Sequence, residues 1–107
     1  MKLLNAFSLQ MLSVEEETVV KVKPVSVNLA KELFAKNGGL ESAVGHADTA
    51  NVLADMFKMP VPFQRSNVKL DKGEMAVVAQ VVGGRLPEGA TTLPEGFKMV
   101  LLLVEIK

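Results

Sequence analysis

His46 is the only histidine in the chain, and it stands in the stretch Val44-Gly45-His46-Ala47-Asp48-Thr49-Ala50-Asn51. The residues that follow, Ala50, Val52, Leu53, Met56 and Phe57, place apolar side chains at helical spacing. A histidine at the mouth of a helix lies among backbone N–H groups without helical partners, a position suited to binding phosphate. The same position also lets a histidine simply cap the helix or pack a loop. Other polar residues fall at the ends of apolar elements: Asn5 and Ser8 after the first run, Gln64 and Arg65 after Pro62, Arg85 after the longest run. Side chains at strand ends beside a helix start commonly build the ligand crevice of such sheets. Gly83 and Gly84 precede Arg85 and remove bulk where a ligand would approach. Taken singly, Arg85 reads as a surface charge, Ser8 as a helix cap and Asn5 as a turn former.

No nucleophile is paired with a base. Ser8, His46 and Asp48 can be drawn as a triad, but Asp48 follows His46 by two residues on one helix start, a poor spacing for orienting the imidazole. There is no Gly-x-Ser-x-Gly elbow, and Gly83-Gly84 is neither a dinucleotide fingerprint nor a P-loop. The chain has no cysteine, which removes disulfides and thiolate metal sites, and no Asp/Glu spacing completes a metal site around one histidine. One histidine and a few arginines therefore suit a reaction in which the substrate brings its own nucleophile. RNA does this, because its 2′-hydroxyl can attack the adjacent phosphate. The protein then needs only to align the groups, stabilise charge and protonate the leaving 5′-oxygen.

These side chains must be held by one domain spanning residues 1–107, since 107 residues leave no room for two cores. Leu3–Phe7 reads as an inner strand stopping at Ser8, and Ser8–Leu12 as one helical turn. Glu15-Glu16-Glu17 reads as a solvated turn and Thr18–Lys23 as a strand halted by Pro24. Ser26 caps a predicted helix through Leu29, Ala30, Leu33 and Phe34, closed at Asn37-Gly38-Gly39. Leu40–Gly45 reads as a connector or short helix, and the helix opened by His46 runs to about Lys58, ahead of Pro60 and Pro62. Asn67–Leu70 and Met75–Val82 read as a hairpin about the turn Asp71–Glu74, the second strand covered on both faces. Thr91–Gly96 reads as one helical turn, and Lys98–Ile106 as a second central strand. The expected class is α/β: about five strands in a mixed sheet with helices packed against it.

Lys plus Arg and Asp plus Glu both number 12, so the chain is not built to coat long nucleic acid. No run approaches the ~18 apolar residues of a membrane span, and Met1–Phe7 lacks the long apolar region of a signal peptide. A cytoplasmic location is expected.

Three stretches together carry a resemblance: Leu4-Asn5-Ala6-Phe7-Ser8-Leu9-Gln10-Met11-Leu12, Val44-Gly45-His46-Ala47-Asp48-Thr49 and Gly84-Arg85-Leu86-Pro87-Glu88-Gly89. In order and spacing they resemble the viral ring nucleases, type III anti-CRISPR proteins with related copies in bacteria and phages. The resemblance covers nearly the whole chain. It implies a homodimer, in the host cytoplasm if viral, that binds cyclic tetra-adenylate, the second messenger of type III CRISPR defence. The family cuts that ring, without metal or cofactor, into linear di-adenylate through a 2′,3′-cyclic phosphate. By the same resemblance His46 is the general acid and Arg85 contacts the phosphates beside the scissile bond. Asn5 and Ser8 line the ligand, Gln10 stands where some relatives have asparagine, and Glu88 partners a basic group or a ribose. Arg65 is a further ligand contact whose offset varies among relatives, and the short Leu93–Phe97 segment lacks an extra helix that some relatives carry.

Two-fold symmetry fits this assignment. A ring of four identical nucleotides has a two-fold axis, so two copies of one modest site grip opposite sides. The alternatives are a non-catalytic binder that sequesters or senses the cyclic nucleotide, and a small dimeric interaction protein without a nucleotide.

Overall fold

The computed structural model describes residues 1–13 and 15–107. In chain order it contains strand β1 (Lys2–Leu4), a 3-10 turn (Leu9–Met11), strand β2 (Val20–Pro24), helix α1 (Val27–Lys36) and strand β3 (Glu41–Ala43). Helix α2 (Ala47–Phe57), strand β4 (Met75–Val82) and strand β5 (Lys98–Ile106) complete the chain. The strands form one sheet in the order β2-β5-β4-β1-β3. β1 runs parallel to β3 and β4, whereas β5 runs antiparallel to β4 and β2. The result is a single α/β domain with a mixed five-stranded sheet and two α-helices, as the residue pattern predicts.

The two longest apolar runs form β4 and β5, the centre of the sheet, and alternation along them divides the core in two. Val77, Ala79, Leu101 and Leu103 face the helices and pack with Leu3, Phe34, Leu53 and Phe57. Phe34 and Phe57 meet edge-to-face with centroids 5.8 Å apart, which locks α1 against α2. Ala76, Val78, Val104 and Ile106 face the other way, onto Leu4, Leu12, Val68 and Leu70. β4 is thus buried only over Ala76–Ala79; past them Gln80 is exposed and Val82 is 47% exposed.

The helix ends follow from their capping residues. The Ser26 hydroxyl accepts from the Leu29 amide at 3.0 Å, and the Gly39 amide donates to the Phe34 carbonyl at 2.7 Å once Gly38 turns into φ +84°. α2 stops at Lys58, the one non-glycine described residue with positive φ (54°), two residues ahead of Pro60.

Five expectations need correction. Leu40–Gly45 is not a helix: Glu41–Ala43 form β3, paired in parallel with Lys2–Leu4. Three residues carry too little pattern to announce a strand, and only the β1 edge makes them one. Asn67–Leu70 is not a hairpin strand; only Leu70 bridges to Leu12, its amide donating to Met11 O at 2.8 Å. The alternation of Val68 and Leu70 serves to bury both beneath the sheet, and the strand hairpinned to β4 is β5. Thr91–Gly96 forms bends and a turn closed by Phe97 N–H on Pro94 O at 3.1 Å, with Gly96 at φ +84°, outside the helical region. β1 ends at Leu4 rather than Phe7, because Asn5 leaves the ladder and bonds elsewhere; β2 spans Val20–Pro24, a proline being tolerated at the end of an edge strand.

Candidate functional site

β1 and β4 lie side by side in parallel, so their carboxyl ends open together, and β3 delivers the chain to the N-terminus of α2 at the same place. Between them is a cleft of about 300 Å³ lined by Asn5, His46, Thr49, Gln80, Gly84 and Arg85, among others. This is the strand-end crevice that parallel connections create.

His46 is the N-cap of α2, extended at φ −134° and ψ 121°. Its Nδ1 lies 3.5 Å from the Thr49 amide and 3.4 Å from Thr49 Oγ1, long contacts that aim this nitrogen at the helix start. With Nδ1 in the accepting role, the proton of the neutral ring sits on Nε2. Nε2 has no protein partner among the described residues. His46 therefore caps the helix and at the same time leaves one ring N–H free at the cleft.

The turn before His46 is held from both sides. Asn5 Oδ1 accepts from the Gly45 amide at 3.1 Å, which joins the end of β1 to the start of α2 and leaves the Asn5 NH₂ group for a ligand. Arg65 Nη2 donates to the Gly45 carbonyl at 3.4 Å, and its guanidinium carbon lies 5.9 Å from the centroid of the Phe63 ring. Gln64 fixes that segment by donating its amide to Val44 O at 2.9 Å.

Arg85 enters from the opposite wall. The chain leaves β4 through Gly83 (φ +119°) and Gly84 (φ +127°), a conformation that strains any side chain. At Gly83 an added Cβ would also stand 3.0 Å from Gly96 O and 3.2 Å from Phe97 Cα, so glycine is needed for close backbone approach. Leu86, 7% exposed, anchors the chain just past Arg85. Neither Arg85 nor Arg65 forms an ion pair among the described residues. Two unpaired guanidinium groups, one at the cleft and one beside it, and a helix N-terminus with a free imidazole N–H make an electropositive site for an anion.

The structure thus brings Asn5, His46 and Arg85 together and sets Arg65 against the backbone beside them. It does not bring Ser8 and Gln10 into this cleft. They line a separate groove with Ser66 and Lys69, where the Ser8 hydroxyl accepts from the Gln10 amide at 3.2 Å and the Gln10 carbonyl accepts from Lys69 Nζ at 2.7 Å. Glu88 is exposed on the loop beyond Arg85, outside the lining. Two lining residues escaped sequence reasoning. Thr49 is 8% exposed beneath His46, hidden in an ordinary helix start. Gln80 carried a signal: it is the one polar residue in the apolar run of β4.

Fold and cleft define a small α/β protein with an anion-suited crevice at parallel strand ends. The chain belongs to the STIV B116-like family, whose profile matches residues 1–101. It is similar to B116 of Sulfolobus turreted icosahedral virus, with TM-score 0.78, 26% identity and 97% of each chain covered. "Uncharacterized protein 26" of Sulfolobus islandicus filamentous virus (isolate Iceland/Hveragerdi) is 35% identical over 74 residues. That match takes in 69% of this chain and 61% of the relative, so the chain spans about three fifths of its length. Among the described residues no helix is long and apolar enough to cross a membrane.

Proposed function

We propose that the chain is a metal-independent ring nuclease that binds cyclic tetra-adenylate as a homodimer and cuts it to linear di-adenylate, damping type III CRISPR signalling in the host cytoplasm. The observation that carries the reading is the free Nε2 of His46, set in one cleft with Arg85 and Asn5. In this mechanism the ring's own 2′-hydroxyl attacks the adjacent phosphorus, the P–O5′ bond breaks and a 2′,3′-cyclic phosphate forms. The hydroxyl proton passes to solvent; His46 acts as the imidazolium, its Nδ1–H turned to Thr49 Oγ1, and gives the Nε2 proton to the departing 5′-oxygen, returning to the neutral ring. Arg85 and the first-turn amides of α2 hold the phosphate oxygens as charge builds on them. Arg65, fixed beside Gly45, supplies a second cation. Ser8, Gln10 and Glu88 reach the ring only from outside the cleft, as rim contacts or across the dimer.

Dimerisation is supported by the second sheet face. An apolar groove of about 340 Å³ there, lined by Phe7, Val22 and Leu102, shares Asn5 and Gln80 with the cleft. A copy seated on this groove sets two clefts near one axis. Light scattering at micromolar concentration is expected to give twice the 11.5 kDa chain mass.

A sequestering protein is the second reading, favoured by the cap that His46 forms whether or not it transfers a proton. Incubation with cyclic tetra-adenylate in excess EDTA, followed by separation of products, distinguishes the two. Linear di-adenylate supports the nuclease, and retained intact ring supports the sequestering protein.

A further inference from the structure

Arg85 sits on the long connection from β4 to β5, residues 83–97, most of which is exposed. An exposed loop of this length has to be tied down if a cation on it is to stay at a site. Its base is closed by Gly83 against Gly96 and Phe97, and Leu86 is buried just beyond Arg85. A third tie comes from Asp48, in the first turn of α2. Its Oδ1 accepts from the Gly89 amide at 3.1 Å, across 41 residues of chain. An acidic residue in a first helical turn ordinarily needs no partner beyond the helix itself. Here the carboxylate reaches out of the helix, two residues after His46, and holds the loop four residues after Arg85.

We propose that Asp48 is a positioning residue: its bond to Gly89 holds the Arg85 loop against the His46 helix, so that cation and acid are set before the ring arrives. This rests on the ring-nuclease reading for its consequence, though not for the tie itself. The bond uses only an acceptor oxygen, so asparagine can replace aspartate and alanine cannot. Without the tie the loop must be ordered on binding, and the effect falls first on affinity.

The test compares wild type, Asp48→Ala and Asp48→Asn as full-length chains. Hydrogen exchange of the Gly89 amide is read without ligand, and affinity and single-turnover cleavage are read with cyclic tetra-adenylate. Loss of one hydrogen bond to a carboxylate should speed Gly89 exchange about tenfold in Asp48→Ala, with Asp48→Asn close to wild type. Ring affinity should fall by about the same factor in Asp48→Ala, the rate at saturating ring should fall less, and Asp48→Asn should restore both. Unchanged Gly89 exchange in Asp48→Ala overturns the proposal. So does faster exchange with undiminished affinity, or an Asp48→Asn variant as impaired as Asp48→Ala, which would assign the effect to charge. A wild-type chain that neither binds nor cuts the ring defeats the ring-nuclease reading instead, and the exchange ratio alone then upholds or overturns the tie.

Discussion

Asn5 does two things with one side-chain amide, and two substitutions separate them. Its Oδ1 accepts the Gly45 N–H at 3.1 Å, while its NH₂ group has no protein partner among the described residues and Asn5 lines the cleft. Asn5→Ala removes both functions; Asn5→Asp keeps the acceptor and replaces the donor with negative charge. A hydrogen bond of this kind has a net worth of about 0.5–1.5 kcal/mol, and deletion leaves an unpaired donor. Gly45 is only half-buried, so water partly replaces the lost partner and about 1 kcal/mol is expected. For a domain near 107 residues that lowers Tm by about 4 °C. Asn5→Asp should melt within a degree or two of wild type. Ring binding should behave in the opposite way: a carboxylate facing the phosphates should weaken it at least about tenfold, or ~1.4 kcal/mol, more than alanine does. Scanning fluorimetry and calorimetry on the same preparations read the two effects. Equal melting of Asn5→Ala and wild type would refute the structural role, and Asn5→Asp with full affinity would refute an anion in this cleft.

Gly83→Ala forces a Cβ into a backbone at φ +119° and against Gly96 O, so urea unfolding should show a loss of about 1–3 kcal/mol. Arg85→Ala should leave stability nearly unchanged and weaken the ring by about 10–100-fold for each phosphate hydrogen bond lost, measured by calorimetry. Phe57→Ala removes a fully buried ring that packs edge-on against Phe34, and should cost about 3–5 kcal/mol in denaturant unfolding.

Elements with strong local pattern were legible in the sequence. Met75–Val82 and Lys98–Ile106 are strands with the expected bounds, and Ser26 and His46 do cap the two helices. Apart from the local turn at Thr91–Gly96, what failed depended on a partner distant in sequence. Glu41–Ala43 becomes a strand only because Lys2–Leu4 presents an open edge. Val68 and Leu70 alternate like a strand yet serve as a plug, because Leu12 and the second sheet face need covering. The same limit governs the site. His46, Asn5 and Arg85 stood out as polar residues at the ends of apolar runs. Thr49 could not, since a threonine in a helix start is unremarkable until a histidine ring is folded over it. The bond from Gly89 to Asp48 spans 41 positions and has no local signature.

The most direct measurement is single-turnover cleavage of cyclic tetra-adenylate by wild type and His46→Ala, in EDTA, with ligand retention read on the same samples. Wild type should release linear di-adenylate through a 2′,3′-cyclic phosphate. The variant should cut ~10²–10⁴-fold more slowly, the usual contribution of a general acid, while still retaining the ring through Arg85, Arg65 and the α2 amides. Cleavage by His46→Ala at the wild-type rate would contradict the account, as would a wild type that binds the ring and never cuts it.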